Sequence, residues 1–116
     1  MRIGVDAREL VGHPTGVGRY LAGLLREWTR PGAPHGHQVV LYAHRSVDAF
    51  GTSQMRQLPG TGGTAWEQLT LGPAVSRDKV DVLFSPAYST PLTTSVPRVV
   101  ALHDVSFAAR PEWFTW

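Results

Sequence analysis

Two ionisable side chains, His103 and Asp104, directly follow an apolar run that begins at Arg98. In an open α/β sheet, ligands bind beyond the carboxyl ends of the strands, so this pair is expected at a binding crevice. An imidazole there can donate a hydrogen bond to a ligand or transfer a proton near neutral pH. The alternative is a histidine bonded to a neighbouring carbonyl, with Asp104 capping the next turn.

A second candidate is the glycine-containing stretch Gly16, Val17, Gly18 and Arg19, which opens a helix. Glycine lets a ligand approach the backbone, and the free N–H groups at a helix N-terminus favour phosphate. A turn that only reverses the chain is equally compatible with the spacing. A dinucleotide fingerprint is excluded because Leu21 stands where its last glycine is required, and a P-loop is excluded because Gly-Lys-Ser/Thr does not occur.

The elements that must position these residues alternate between strands and helices. Helical apolar spacing runs from Val17 onward until Pro31, and resumes over Thr64 to Arg77, where Gly72-Pro73 is expected to bend or interrupt it. Short apolar runs predict strands at Arg2–Asp6, His37–Ala43, Asp81–Ser85 and Arg98–His103. A brief third strand is placed near Met55–Leu58, in a stretch where glycines and a proline weaken the periodic pattern. This alternation predicts a Rossmann-like, doubly wound parallel sheet of strand order 3-2-1-4-5, with strands one, four and five ending around one crevice.

Composition narrows the functional classes. The 116 residues fit one domain, and a net charge of +2 is too small for a nucleic-acid footprint. With no cysteine, the chain has neither disulfides nor thiolate metal ligands. It also shows no signal peptide and no apolar run of membrane-spanning length, which predicts a cytoplasmic protein.

Other polar residues carry weaker predictions. Asp6 is expected to accept hydrogen bonds from loop amides, although Asp6 and Arg8 could bind a ligand. Trp66 is predicted to be a core residue, with Glu67 near the positive end of its helix. His44 is predicted to be solvated, and so are His35 and His37, whereas His13 shares the Gly16 loop.

Five blocks in order carry a family resemblance. They are Met1 to Leu10, Thr15 to Tyr20, Thr64 to Gln68, Phe84 to Tyr88, and Leu102 to Phe107 followed by Arg110 to Phe114. Together they resemble the N-terminal domain of group 1 (family 4) retaining glycosyltransferases with the GT-B fold.

The resemblance implies transfer of a sugar from a nucleotide-sugar donor to an acceptor, with retained configuration and no obligatory metal or cofactor. Gly16 would approach the donor diphosphate, together with Val17, Gly18 and Arg19, and His103 would contact the transferred sugar beside Asp104. The resemblance also implies that a sugar or lipid-linked acceptor would lie near His13, Thr15 and Tyr88.

The resemblance also implies a C-terminal donor-binding domain, so residues 1–116 are interpreted as a truncated acceptor-side domain that is inactive alone. The family resemblance is also compatible with peripheral attachment of the protein to the inner face of a membrane. The alternative function is a freestanding Rossmann- or flavodoxin-like module that binds a phosphorylated ligand. The aromatic residues Trp113, Phe114 and Trp116 distinguish the two, since a complete module would bury them. A further possibility is a homodimer through exposed apolar surface.

Overall fold

A computed structural model describes residues 1–12, 15–30, 32, 37–48, 50–87 and 89–101. In it, five parallel strands form one sheet of order β3-β2-β1-β4-β5. The strands are β1 (Arg2–Asp6), β2 (Gln38–Ala43), β3 (Gln54–Gln57), β4 (Val82–Ser85) and β5 (Arg98–Val100). The predicted strands and their order are thus confirmed within a residue or so at most ends, and the sheet is compatible with a Rossmann-like fold.

Helix α1 (Gly16–Trp28) packs on one face of the sheet through the predicted apolar stripe. Leu21 and Leu25 are fully buried against Val5 and Leu41, which register opposite each other on β1 and β2. Trp28 packs edge-on against Phe84 of β4, with the ring centroids 5.5 Å apart. Helix α1 therefore ties the central strands together and holds its own N-terminus at the carboxyl ends of β1 and β4.

The opposite face is covered by a helical segment built from three consecutive pieces. They are α2 (Thr64–Trp66), a π-helical turn (Glu67–Leu71) and α3 (Gly72–Arg77). Pro73 has no N–H to donate, and the N–H of Gly72 bonds the carbonyl of Glu67, five residues earlier. The expected interruption at Gly72-Pro73 thus takes the form of a π turn immediately before it, and the helical path continues.

Two local predictions need correction. Within the stretch Ala7 to Gly16, predicted as loop, Arg8–Leu10 forms a short 3₁₀ turn. His44, predicted to be solvated, is half-buried with its ring edge-on to Trp66 at 6.1 Å, and its Nδ1 has no hydrogen-bond partner. Trp66 itself is buried, as predicted, and its indole N–H donates to the carbonyl of Leu58.

Among the described residues, no helix has both the length and the apolar character needed to cross a bilayer.

Candidate functional site

The carboxyl ends of β1 and β4 bring together a cluster of three charged side chains and one hydroxyl, which we call the Arg8 cluster: Asp6, Arg8, Glu67 and Ser89. Asp6 ends β1, Arg8 begins the 3₁₀ turn, Glu67 begins the π turn, and Ser89 lies in the loop after β4. Asp6 and Glu67 are each only 3% exposed. Because parallel strands end at the same edge of a sheet, residues 59 positions apart in sequence meet here.

The Arg8 guanidinium joins the two buried carboxylates. Its Nη2 lies 2.6 Å from Asp6 Oδ2 and 2.6 Å from Glu67 Oε1, while its Nε donates to Asp6 Oδ1 at 3.0 Å. Its Nη1 donates to the carbonyl of Gly62 at 2.9 Å, and the guanidinium carbon lies 5.2 Å from the Trp66 ring centre. Arginine suits this position better than lysine, because its planar guanidinium has five N–H donors that can bond both carboxylates and a carbonyl at once.

Electrostatics keep this arginine charged. Burial alone would lower the pKa of Arg8, but hydrogen bonds from its guanidinium to Asp6 and Glu67, together with their negative charges, outweigh burial and raise it. The cluster contains two carboxylates and one guanidinium, so its formal charge is −1. It is a structural ion network whose outer surface is rich in hydrogen-bond acceptors.

The glycine at position 62 is required by the geometry. Its φ is +76°, and a Cβ there would stand 2.5 Å from Nδ1 of His44. Only glycine therefore presents the Gly62 carbonyl to Arg8 without displacing the His44 ring.

A cleft of about 170 Å³ opens directly over the cluster. Its polar lining includes the carboxylate residues Asp6 and Glu9, the hydroxyl residue Ser89 and the guanidinium residue Arg8. These side chains include both acceptors and donors of hydrogen bonds, which suits a hydroxyl-rich ligand. The residues that line it include Asp6, Arg8, Glu9, Pro86, Ala87 and Ser89.

The N-terminus of α1 lies beside this cleft. The Thr15 hydroxyl caps the helix by accepting from the Gly18 N–H at 2.8 Å and donates to Glu9 Oε2 at 3.1 Å. Within the described part of the chain, the N–H groups of Gly16 and Val17 have no hydrogen-bond acceptor. As far as the described residues are concerned, these two groups are available to bind an anion.

The two glycines of this stretch differ in environment. A Cβ on Gly18 would lie 2.6 Å from the carbonyl oxygen of Glu9, so the glycine lets the 3₁₀ turn pack on α1. A Cβ on Gly16 would meet nothing within 4 Å. Packing therefore explains Gly18, whereas nothing among its described neighbours requires a glycine at position 16.

The structure places some of the site residues predicted from the sequence, and others lie outside its described part. Thr15, Gly16, Val17, Gly18 and Arg19 lie together at the start of α1, but the Arg19 side chain is exposed and lines a second groove on the flank of the helix. The following predicted residues lie outside the described part of the chain, so their roles stay predictions: His13, Tyr88, His103 and Asp104.

Sequence reasoning missed the pairing of Arg8 with Glu67. It placed Asp6 correctly as an acceptor for a loop amide, since the Arg8 N–H bonds Asp6 Oδ1 at 3.2 Å. It interpreted Glu67 only as a charge near a helix start. The sequence signal that could have revealed this pair was two acidic residues and an arginine at the predicted ends of neighbouring elements.

No group of histidine or acidic residues suited to a metal ion occurs among the residues described.

Fold and site together define a small α/β domain with a parallel sheet and a polar cleft at its carboxyl edge. Comparison with known proteins adds no assignment: no family model matches the chain, and neither curated proteins nor solved structures include a significant match.

Proposed function

We propose that this chain is the acceptor-side, Rossmann-like domain of a retaining GT-B glycosyltransferase, which moves a sugar from a nucleotide-sugar donor to a hydroxyl-bearing acceptor. One observation carries the proposal: two of the sequence blocks that resemble this family line a single cleft, and a third is bonded to a residue of its wall. Arg8 from the first block binds Glu67 from the third, and Pro86 and Ala87 from the fourth complete the lining.

The acceptor is proposed to lie in the cleft over the Arg8 cluster. Sugar hydroxyls are hydrogen-bond donors as well as acceptors, and the cleft offers carboxylate and hydroxyl oxygens. Arg8 is proposed to position Asp6 and Glu67, since its guanidinium is already occupied by them.

The donor diphosphate is proposed to approach Gly16. Charge develops on the leaving diphosphate as the glycosidic bond breaks, and the N–H groups of Gly16 and Val17, with the positive end of the α1 dipole, would stabilise it. The absence of a Cβ at Gly16 leaves room for this contact. By the family resemblance, His103 would contact the transferred sugar beside Asp104, and a second domain would hold the nucleotide.

The test is made on the full-length gene product with radiolabelled nucleotide sugars and candidate acceptors, by following sugar transfer and nucleotide release. Gly16→Ala is compared with Gly23→Ala. Both glycines are exposed residues of α1 whose Cβ would meet nothing within 4 Å. Gly16→Ala keeps the backbone N–H, but its methyl group would occupy the space through which the diphosphate approaches. Holding the diphosphate out of hydrogen-bond distance should lower transfer about 10- to 100-fold, the size of a lost hydrogen bond to a charged group, while Gly23→Ala should not.

Equal activity of the two variants would remove the donor role of Gly16. If no nucleotide sugar is bound or turned over while a phosphorylated ligand still binds, the freestanding binding module replaces the glycosyltransferase as the better account.

A further inference from the structure

A second groove runs along the flank of α1, on the other side of Glu9 from the cleft over the Arg8 cluster. Its volume is about 270 Å³. Gly18 and Ala22, one helical turn apart, form its floor because they have little or no side chain. We call it the arginine groove; the residues that line it include Glu9, Leu10, Gly18, Arg19, Ala22 and Arg26.

Two arginines of α1 line this groove, and neither has a carboxylate partner among the residues that the structure describes. Arg19 and Arg26 are seven residues apart, which places them on the same flank of the helix and about 10 Å apart along its axis. Both are exposed. The ion pairs within the described ranges use Arg8, Arg30 and Arg56 instead. The Arg26 guanidinium lies over the Phe50 ring at 5.9 Å, which restricts its orientation.

The charge balance favours an anion. Glu9 is the acidic residue of the groove, and its carboxylate already accepts a hydrogen bond from the Thr15 hydroxyl. The formal charge of the lining is therefore +1, and the positive end of the α1 dipole adds to it only near Arg19, because Arg26 lies in the last turn of the helix. An arginine close to a helix N-terminus is unfavourable without an anion, and the first turn of α1 contains no acidic residue.

We propose that the arginine groove binds the phosphate group of a ligand, with Arg19 and Arg26 donating to its oxygens. Guanidinium groups match phosphate through paired N–H donors, and a dianionic phosphate gains more from two cations than a carboxylate does. This site is separate from the cleft and does not depend on glycosyl transfer.

The test is an NMR titration that follows backbone amide shifts, at constant ionic strength, with inorganic phosphate, pyrophosphate and acetate. Saturable shifts at Gly18, Arg19, Ala22 and Arg26 are expected, with phosphate or pyrophosphate binding more tightly than acetate. Arg19→Gln and Arg26→Gln should each weaken binding about tenfold or more, since each removes hydrogen bonds to a charged group.

Two further variants separate a specific groove from general charge. Arg77→Gln removes an exposed positive charge at the end of α3, on the opposite side of the sheet, and should leave the affinity within about twofold. Ala22→Leu keeps both arginines and fills the groove, so it should abolish binding. Circular dichroism and unfolding curves of all four variants verify that each is folded.

Binding to lipid vesicles tests whether the phosphate belongs to a lipid or to a soluble ligand. Binding to phosphatidylglycerol vesicles, but not to phosphatidylcholine vesicles, that is lost in Arg19→Gln and Ala22→Leu would assign the site to a lipid phosphate. Binding of the soluble anions alone would assign it to a soluble ligand. The proposal is overturned if neither anions nor vesicles bind, if Arg77→Gln weakens binding as much as Arg19→Gln, or if Ala22→Leu binds like the unsubstituted protein.

Discussion

The Arg8 cluster and the start of α1 lie side by side at the same edge of the sheet, yet they use polar groups in opposite ways. In the cluster, a guanidinium is held between two buried carboxylates. At the start of α1, the N–H groups of Gly16 and Val17 and the side chain of Arg19 have no partner within the described part of the chain. A buried charge must be paired because it has lost its hydration, whereas an exposed charge is solvated by water until a ligand binds.

The comparison shows that the density of charged residues does not by itself identify a binding surface. Of the two regions, the Arg8 cluster has more charged side chains, but its guanidinium is already bonded to Asp6, Glu67 and the Gly62 carbonyl. The start of α1 contains fewer charges, and those it has are available. Substitution of Arg8 should therefore lower stability, whereas substitution of Gly16 or Arg19 should affect ligand binding with little change in stability.

The largest effect is expected from Arg8→Met, which keeps the aliphatic stem near Trp66 but removes the cation. Asp6 and Glu67 would then be buried without compensation, and the free energy of unfolding should fall by about 3–5 kcal/mol. Urea unfolding measures this. The matched variant Arg19→Met removes an exposed arginine of the same size, and its effect should stay within about 0.5 kcal/mol. Similar losses in both variants would contradict the distinction between the two regions.

The next largest effect is expected at Gly18. A methyl group there would lie 2.6 Å from the Glu9 carbonyl oxygen, so Gly18→Ala should destabilise the protein by about 1–3 kcal/mol, as overpacking does. Gly23→Ala, on the exposed side of the same helix, should instead stabilise it by about 0.5–1 kcal/mol because alanine is the better helix former. Thermal unfolding distinguishes the signs. A stable Gly18→Ala protein would show that the 3₁₀ turn does not need this close approach.

The stability contributed by the Arg8 cluster and that contributed by the hydrogen-bonded pair Tyr42 and Asp78 should respond differently to alkaline pH. The pKa of Arg8 is raised, so the cluster keeps its cation as the pH increases. Burial, and then the hydrogen bond to Asp78 at 2.8 Å, raise the pKa of Tyr42 above its usual value. The folded state therefore retains a proton that the unfolded state loses. The stability contributed by Tyr42 is complete below about pH 10 and is lost as the pH rises further.

Tyr42→Phe tests this expectation. At neutral pH the variant should lose about 1–2 kcal/mol, because the hydroxyl and its bond to a carboxylate are removed. Above about pH 10 its stability should decline less steeply than that of the unsubstituted protein. Urea unfolding between neutral and alkaline pH compares the slopes, and identical slopes would show that Tyr42 does not control the alkaline response.

The smallest structural effect is expected from Gly16→Ala, whose new methyl group points into open space. Its free energy of unfolding should change by no more than about 0.5 kcal/mol. A larger loss would mean that the glycine serves folding, and Gly16→Ala would no longer report on a ligand. Denaturation curves should therefore precede any binding measurement.

Much of the scaffold was predictable from sequence because it depends on local periodicity. Apolar runs identified four of the five strands, whereas β3 (QMRQ) is largely polar and exposed and gave only a weak signal. Spacings of three and four identified the buried side of α1. The order of the sheet followed from the alternation of strands and helices and from the known handedness of their connections. Thr15 before a glycine-rich helix start was placed in the site, although its hydrogen bond to Glu9 depends on how the 3₁₀ turn folds back.

Tertiary structure alone decided which polar groups are used and which are free. Arg8 and Glu67 each look like ordinary surface charges in their own segments, and only the convergence of strand ends makes them a buried pair. The same holds for the two glycines. Both belong to the same short sequence motif, but among the described residues a Cβ on Gly18 would collide with the 3₁₀ turn, whereas a Cβ on Gly16 would meet nothing within 4 Å. Periodicity reports the face on which a residue lies, while its partners depend on segments that are distant along the chain.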